Sequence, residues 1–238
     1  HPETTMIEVL VPDMNGILRG KRIPVNEFST LYADGIKGPA SVSLVTCRGE
    51  MSVDIDQFRG DPDKLMKPVA NTLKPVNWVA SETAQVLTTF TELDGSAGMF
   101  DCRNILIKAL QPLYDMGLKA VVATELEFYL LEEGDGATPK VKVPRIPGTG
   151  LDQTGIQYCM PEDYWENDAF LEDVRKTCLE QDVPMTNVHS EFSPGQFEIN
   201  LHHCDDPVLA CDHALLLKRI VKGVAIKHGM SATFMAKP

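Results

Sequence analysis

The stretch "ATELEFYLLEE", residues 123–133, restricts the fold more than any other part of the chain. Leu126, Phe128 and Leu130 alternate, as on a strand with one face in a core. Glu125 and Glu127 occupy the positions between them, and side chains two apart on a strand share a face, about 7 Å from one another. A strand that must bury one side therefore aims two like charges from the other. The segment "SEFSPGQFEIN", residues 190–200, repeats the pattern. With a turn centred on Pro194-Gly195, Glu191 and Glu198 each lie three positions away and face one another across a hairpin. Like charges opposed on a ladder are destabilising, and at ~5 Å with an effective dielectric near 20 each pair costs roughly 3 kcal/mol. A fold bears that cost when the carboxylates are well solvated, when one keeps a proton, or when a cation lies between them. L-Pro-Gly favours a type II turn, whose twist suits a tight hairpin poorly, so a wider loop is the alternative arrangement.

If both carboxylate pairs sit on one β-layer, they can converge on divalent cations. Oxygen ligation with a possible histidine suits Mg²⁺ or Mn²⁺ better than Zn²⁺. His189 shares the strand face of Glu191, two residues earlier, and so can approach such an ion. It is expected as a supporting or core histidine rather than a ligand. Exposed edge strands also carry acidic pairs with no metal, and that plainer account stands beside the cation reading.

The bulk of the chain excludes several classes. With 22 basic against 34 acidic residues, the net charge of −12 leaves no basic stripe to release counterions, so nucleic acid is not an expected partner. No apolar run approaches the ~20 residues of a membrane span, which makes a membrane partner unexpected. The opening "HPETTMIEVL" lacks a basic region followed by a long apolar one, so no signal peptide is visible. The six cysteines at 47, 102, 159, 178, 204 and 211 form no CxxC pair, which suits scattered thiols in a reducing cytoplasm. The sequence contains neither a P-loop nor a GxGxxG fingerprint. Ser81 and Ser190 lack a nucleophile-elbow context.

Along the chain, residues 7–11 and 17–25 around Asn15-Gly16 predict a hairpin. Further strands are predicted at 41–47, 51–55, 76–80 and 85–90, with a short helix near 25–33. Residues 1–97 thus form a small, mostly β domain, joined through 92–101 to a second domain, 98–238. There Asp101 is placed to cap a helix through Met116, followed by a strand over 119–131, a loop over 134–152 and a helix over 161–182. Strands near 185–192 and 196–202, a helix over 207–228 capped by Asp205 or Asp206, and a strand over 231–236 complete it. The order predicts an α+β fold with an antiparallel sheet covered by helices.

The motifs "TELEFYL", "SEFSPGQFEINL" and "KRIVKGVAIKHGMSATFMAKP" are long and ordered, and at them the chain resembles the glutamine synthetase family. The first resembles that family's E-x-E-F metal strand, the second its E-x-x-P-G-Q-x-E segment, and the third the helix and strand leading to its ATFM-x-KP. "DMNGILRGKRIP" and "GDPDKLMKPV" fit its amino-terminal β-grasp domain. "GQFEINLHHCDDPVLACDHALLLKR" looks closest to the γ-glutamyl-amine ligases, such as the γ-glutamylputrescine synthetases. The resemblance implies ATP-dependent ligation of the glutamate γ-carboxylate to an amine or ammonia through a γ-glutamyl phosphate. It implies Mg²⁺ or Mn²⁺, with Glu127, Glu191 and Glu198 on one ion and Glu125 on a second that bridges the ATP phosphates. Asp63 matches the acidic residue that a neighbouring subunit brings to the amine corner of a ring-shaped homo-oligomer. In the family the fold continues past "ATFMAKP" into a histidine-bearing metal strand and an arginine-bearing phosphate site. The resemblance therefore implies an amino-terminal fragment, inactive by itself. A non-catalytic structural or metal-binding relative is the alternative.

Overall fold

The computed structural model describes residues 3–51, 60–133 and 139–238. Contacts divide the chain into two units, His1–Val76 with Ala80–Ala120, and Asn77–Val79 with Val121–Pro238.

The first unit is built on a six-stranded mixed sheet. Strands β1 (Met6–Pro12) and β2 (Leu18–Pro24) form the expected hairpin. Its turn is held by Asp13, whose Oδ1 accepts from the backbone N–H of Asn15 and Ile17, and Gly16 supplies the positive φ of 68°. β1 pairs in parallel with β6 (Thr83–Thr91), which also pairs with β4 (Asp63–Pro68) and β5 (Lys74–Val76); β3 (Ile36–Pro39) closes the far edge. Ile7, Val9 and Val11 point inward with Met66, Val86, Phe90 and Leu31, the last from helix α1 (Phe28–Ala33). Helix α2 (Cys102–Asp115) begins as expected, with the Asp101 carboxylate accepting from the Asn104 N–H. It buries none of its residues within this unit.

In the second unit, β7 (Glu125–Glu132), β8 (Met185–Ser190), β9 (Gln196–Leu201) and β10 (Met230–Thr233) form an antiparallel sheet in the order β10-β7-β9-β8. Phe128 on β7 stacks against Phe197 on β9 and meets Phe170 of helix α4 (Asp168–Glu180) edge-on. Leu217 and Ile220 of helix α5 (Pro207–Lys227) are fully buried as well. The Asp206 carboxylate caps α5 by accepting from Val208 and Leu209. No helix among the described residues is long and apolar enough to cross a membrane.

Local sequence misled in several places. Residues 41–47 are not a strand: Ala40–Leu44 wind into a 3₁₀ turn, because Asp61 takes the Ser41 N–H and hydroxyl and so competes with a ladder. Beyond Met51, which bridges Val45, the expected strand at 51–55 lies outside the described residues. The strand expected at 76–80 stops at Val76. Asn77 instead donates to Thr177 and Glu180 on α4. The strand over 119–131 starts only at Glu125, with Val122 in an isolated bridge to Cys204. The helix over 161–182 is two helices, α3 (Glu162–Trp165) and α4, separated at Asn167.

Candidate metal centre

β7 and β9 are in register so that Glu127 lies opposite Glu198 and Glu125 opposite Asn200. On the other side of β9, His189 of β8 lies opposite Glu198. The predicted facing of Glu191 and Glu198 is therefore wrong by two residues. The Glu191 N–H donates to Gln196 O, the Gln196 N–H to Ser193 O, and Gly195 takes a φ of 78°. The loop between the strands is thus wider than Pro194-Gly195. An offset of two keeps side-chain parity, so every acidic residue stays on the expected face.

On that face the groups meet. His189 Nε2 is 3.3 Å from Glu191 Oε2 and 3.7 Å from Glu198 Oε1. One ligand atom from each of His189, Glu191 and Glu198 falls within 4.8 Å of the others. Gln196 Nε2 donates to Glu127 Oε2 at 2.6 Å, and Asn200 Nδ2 to Glu198 Oε1 at 2.7 Å. These amides fix two of the carboxylates. Glu198 is the most enclosed, at 9% exposure. The Glu127 carboxyl is raised above its ordinary value, first by desolvation and then by the charges of Glu191, Glu198 and Glu125, while His189 acts in the opposite sense.

This donor set fits a divalent cation. Two carboxylates and an imidazole converge, and a third carboxylate faces them across the ladder, its pKa raised by desolvation and by the charges of its neighbours. Oxygen-rich ligation with one nitrogen suits Mg²⁺ or Mn²⁺. Glu125 shares the face, one pleat further along β7. Asp63 does not join the cluster within this unit: it opens β4 of the first unit, exposed, opposite Pro39. Sequence reasoning placed His189 on this face and passed over Gln196 and Asn200. The signal was available, since both amides lie two positions from Glu198 and so share its face.

Residues 99–238 match the family profile described as glutamine synthetase, catalytic domain. The chain is 39% identical to the γ-glutamylputrescine synthetase PuuA of Escherichia coli (strain K12), over 100% of its own length and 51% of that protein's. It is 33% identical to a glutamate–isopropylamine ligase from a Pseudomonas species, over 95% of its length and 49% of that protein's. Among solved structures, a novel glutamine synthase homolog aligns with a TM-score of 0.79 at 17% identity, covering 96% of this chain and 50% of the other. The glutamine synthetase of Plasmodium falciparum aligns at 0.76 and 18%, covering 100% of this chain and 48% of the other. The chain spans about half the length of the curated relatives it matches.

Proposed function

The chain belongs to the glutamine synthetase family, and on that premise we propose that it serves an ATP-dependent carbon–nitrogen ligase joining the glutamate γ-carboxylate to an amine or ammonia. The likeness to proteins named for putrescine and isopropylamine favours an alkylamine over ammonia. A free carboxylate is a poor acylating agent. Phosphorylation by ATP turns its oxygen into a leaving group, giving a γ-glutamyl phosphate, and the amine then displaces phosphate.

Divalent cations supply charge neutralisation where the triphosphate and the attacking carboxylate would repel. In this reading Glu127, Glu191 and Glu198 hold one ion, with His189 beside them, and Glu125 serves a second. Gln196 and Asn200 keep two of those carboxylates in fixed rotamers, which lowers the ordering cost of binding. Asp63, presented to the site of a neighbouring subunit, binds the incoming ammonium and favours loss of its proton. The reading carries with it a cytoplasmic ring-shaped homo-oligomer, a β-grasp amino-terminal domain over 1–97, and the start of the catalytic domain from 98 onward. It also holds that residues 1–238 by themselves do not complete the ligation.

The observation that carries the proposal is the meeting of His189, Glu191 and Glu198 on the face that also bears Glu127. Titration with Mn²⁺ while following thermal unfolding tests it. A saturable rise in Tm that disappears in Glu198→Ala is the expected result. A flat response at every Mn²⁺ concentration would overturn the metal reading and favour a non-catalytic relative.

A further inference from the structure

Gln157 lies outside every strand and helix of the second unit, yet it is fully buried. Its side chain reaches the loop that joins β8 to β9 and grips two neighbouring residues of it. Nε2 donates to the Gln196 carbonyl oxygen at 2.7 Å, and Oε1 accepts the Gly195 N–H at 3.1 Å. A flipped amide would set N–H against N–H and oxygen against oxygen, so both bonds require this one orientation. The main chain of Gln157 is tied to the same hairpin. Its carbonyl accepts from the Ser190 hydroxyl at 2.9 Å, and its N–H donates to Phe192 O at 3.4 Å.

Both gripped groups lead to the carboxylate face. The Gln196 carbonyl also accepts the Glu191 N–H, at 2.8 Å, so Gln157 and Glu191 share one oxygen. The Gln196 side chain takes the Ser193 N–H on its Oε1 and gives its Nε2 to Glu127 Oε2 at 2.6 Å. That side chain leaves a backbone segment whose N–H on one side and carbonyl on the other are held by Gln157. Gly195 is closely packed as well: a Cβ built there would come 2.5 Å from Val141 Cγ1 and 2.8 Å from Lys142 O. Gln157 itself makes no hydrogen bond to either carboxylate among the described residues.

We propose that Gln157 is a positioning residue for the metal centre. By clamping Gly195 and Gln196 it aims the Gln196 amide at Glu127 and sets the backbone from which Glu191 projects. The inference rests on the metal reading above. It extends that centre to a loop residue, which strand parity does not point to.

The test uses the full chain and a metal-free readout beside a metal-binding one. In ¹H–¹⁵N spectra without metal, the side-chain NH₂ pair of Gln196 is assigned by its absence in Gln196→Ala. In Gln157→Met, an apolar side chain of similar length, that pair should move toward the position of a free amide. By isothermal titration, Gln157→Met and Gln196→Ala should each weaken Mn²⁺ binding roughly tenfold. The double variant should bind no more than about threefold more weakly than either single one, since both act through one residue. Gln157→Asn keeps an amide but is one methylene short of reaching both groups. It should repeat the loss while keeping the wild-type pattern of backbone amides. Thr72→Val, which removes buried hydrogen bonds in the first unit, should leave the affinity unchanged. Wild-type binding that persists undiminished in Gln157→Met and Gln157→Asn would overturn the positioning role alone and leave the metal reading standing. An unmoved Gln196 pair, or independent losses that multiply in the double variant, would do the same. No Mn²⁺ binding by the wild type would overturn the metal reading, and this role with it.

Discussion

Glu127 on β7 lies directly opposite Glu198 on β9, two acids in one rung of an antiparallel ladder. Like charges opposed on a ladder are destabilising, and because Glu127 is exposed solvent reduces the cost well below the roughly 3 kcal/mol of the unscreened pair. Without metal, Glu127→Gln should therefore raise stability by roughly 0.5–1 kcal/mol, seen as about 1–4 °C in Tm. With saturating Mn²⁺ the order should invert, because the variant has given up a charged ligand. Measuring both melts on the same two proteins checks the sign of each effect.

His189 is in close reach of two carboxylates, with Nε2 3.3 Å from Glu191 and 3.7 Å from Glu198. His189→Ala should weaken Mn²⁺ binding at least tenfold, which is about 1.4 kcal/mol. Isothermal titration on wild type and variant measures the ratio. Unchanged affinity would leave the imidazole as a neighbour of the ion only.

Acid unfolding should depend on Asp173. Its carboxyl shares hydrogen bonds with His228 Nε2 at 3.0 Å and Lys227 Nζ at 3.1 Å, and these hold it below its ordinary value of 3.8. A carboxyl whose folded pKa is depressed adds stability above the unfolded value, and that stability disappears as pH falls through the folded one. Asp173→Asn should thus be the less stable protein at neutral pH. The gap should begin to close below the ordinary carboxylate value and vanish once pH falls below the depressed folded one, where Asp173 is uncharged in both the folded and the unfolded protein. Urea melts across the acid range read that closure.

The carboxylate face was legible because parity on a strand survives an error in the turn. The wider loop before Gln196 shifts Glu191 by two places, and two places return it to the same side. Asp101 and Asp206 announced α2 and α5 by cap chemistry that acts within four residues. Contacts distant in sequence were hidden. Nothing near Ser41 tells that Asp61 will take its N–H and hydroxyl. The pull of α4 on Asn77 acts across 100 residues. The pairing of His189 with Glu198 was hidden for the same reason, since it depends on the length of a loop that Pro194-Gly195 suggested but did not fix.

Gly223 supplies the strongest packing test. A Cβ placed there would come within 2.3–2.5 Å of three ring atoms of Trp78, distances at which one side must move. The ring is also covered by Arg219, whose guanidinium carbon lies 5.7 Å from the ring centroid, so the indole is pressed onto one stretch of α5. Alanine within a helix normally gains about 1 kcal/mol over glycine, whereas overpacking a tight contact costs typically 1–3 kcal/mol. The clash is with a rigid ring rather than a flexible chain end, so the steric cost should win. Gly223→Ala is expected to lose about 1–2 kcal/mol net, or about 2–8 °C in Tm, with a red shift in the Trp78 contribution to fluorescence. Trp78→Leu should also destabilise by removing buried ring surface. In that background Gly223→Ala should cost much less, because the atoms it strikes are gone, and a double-mutant cycle isolates that coupling. Equal cost of the alanine in both backgrounds would mean that helix and indole do not constrain one another.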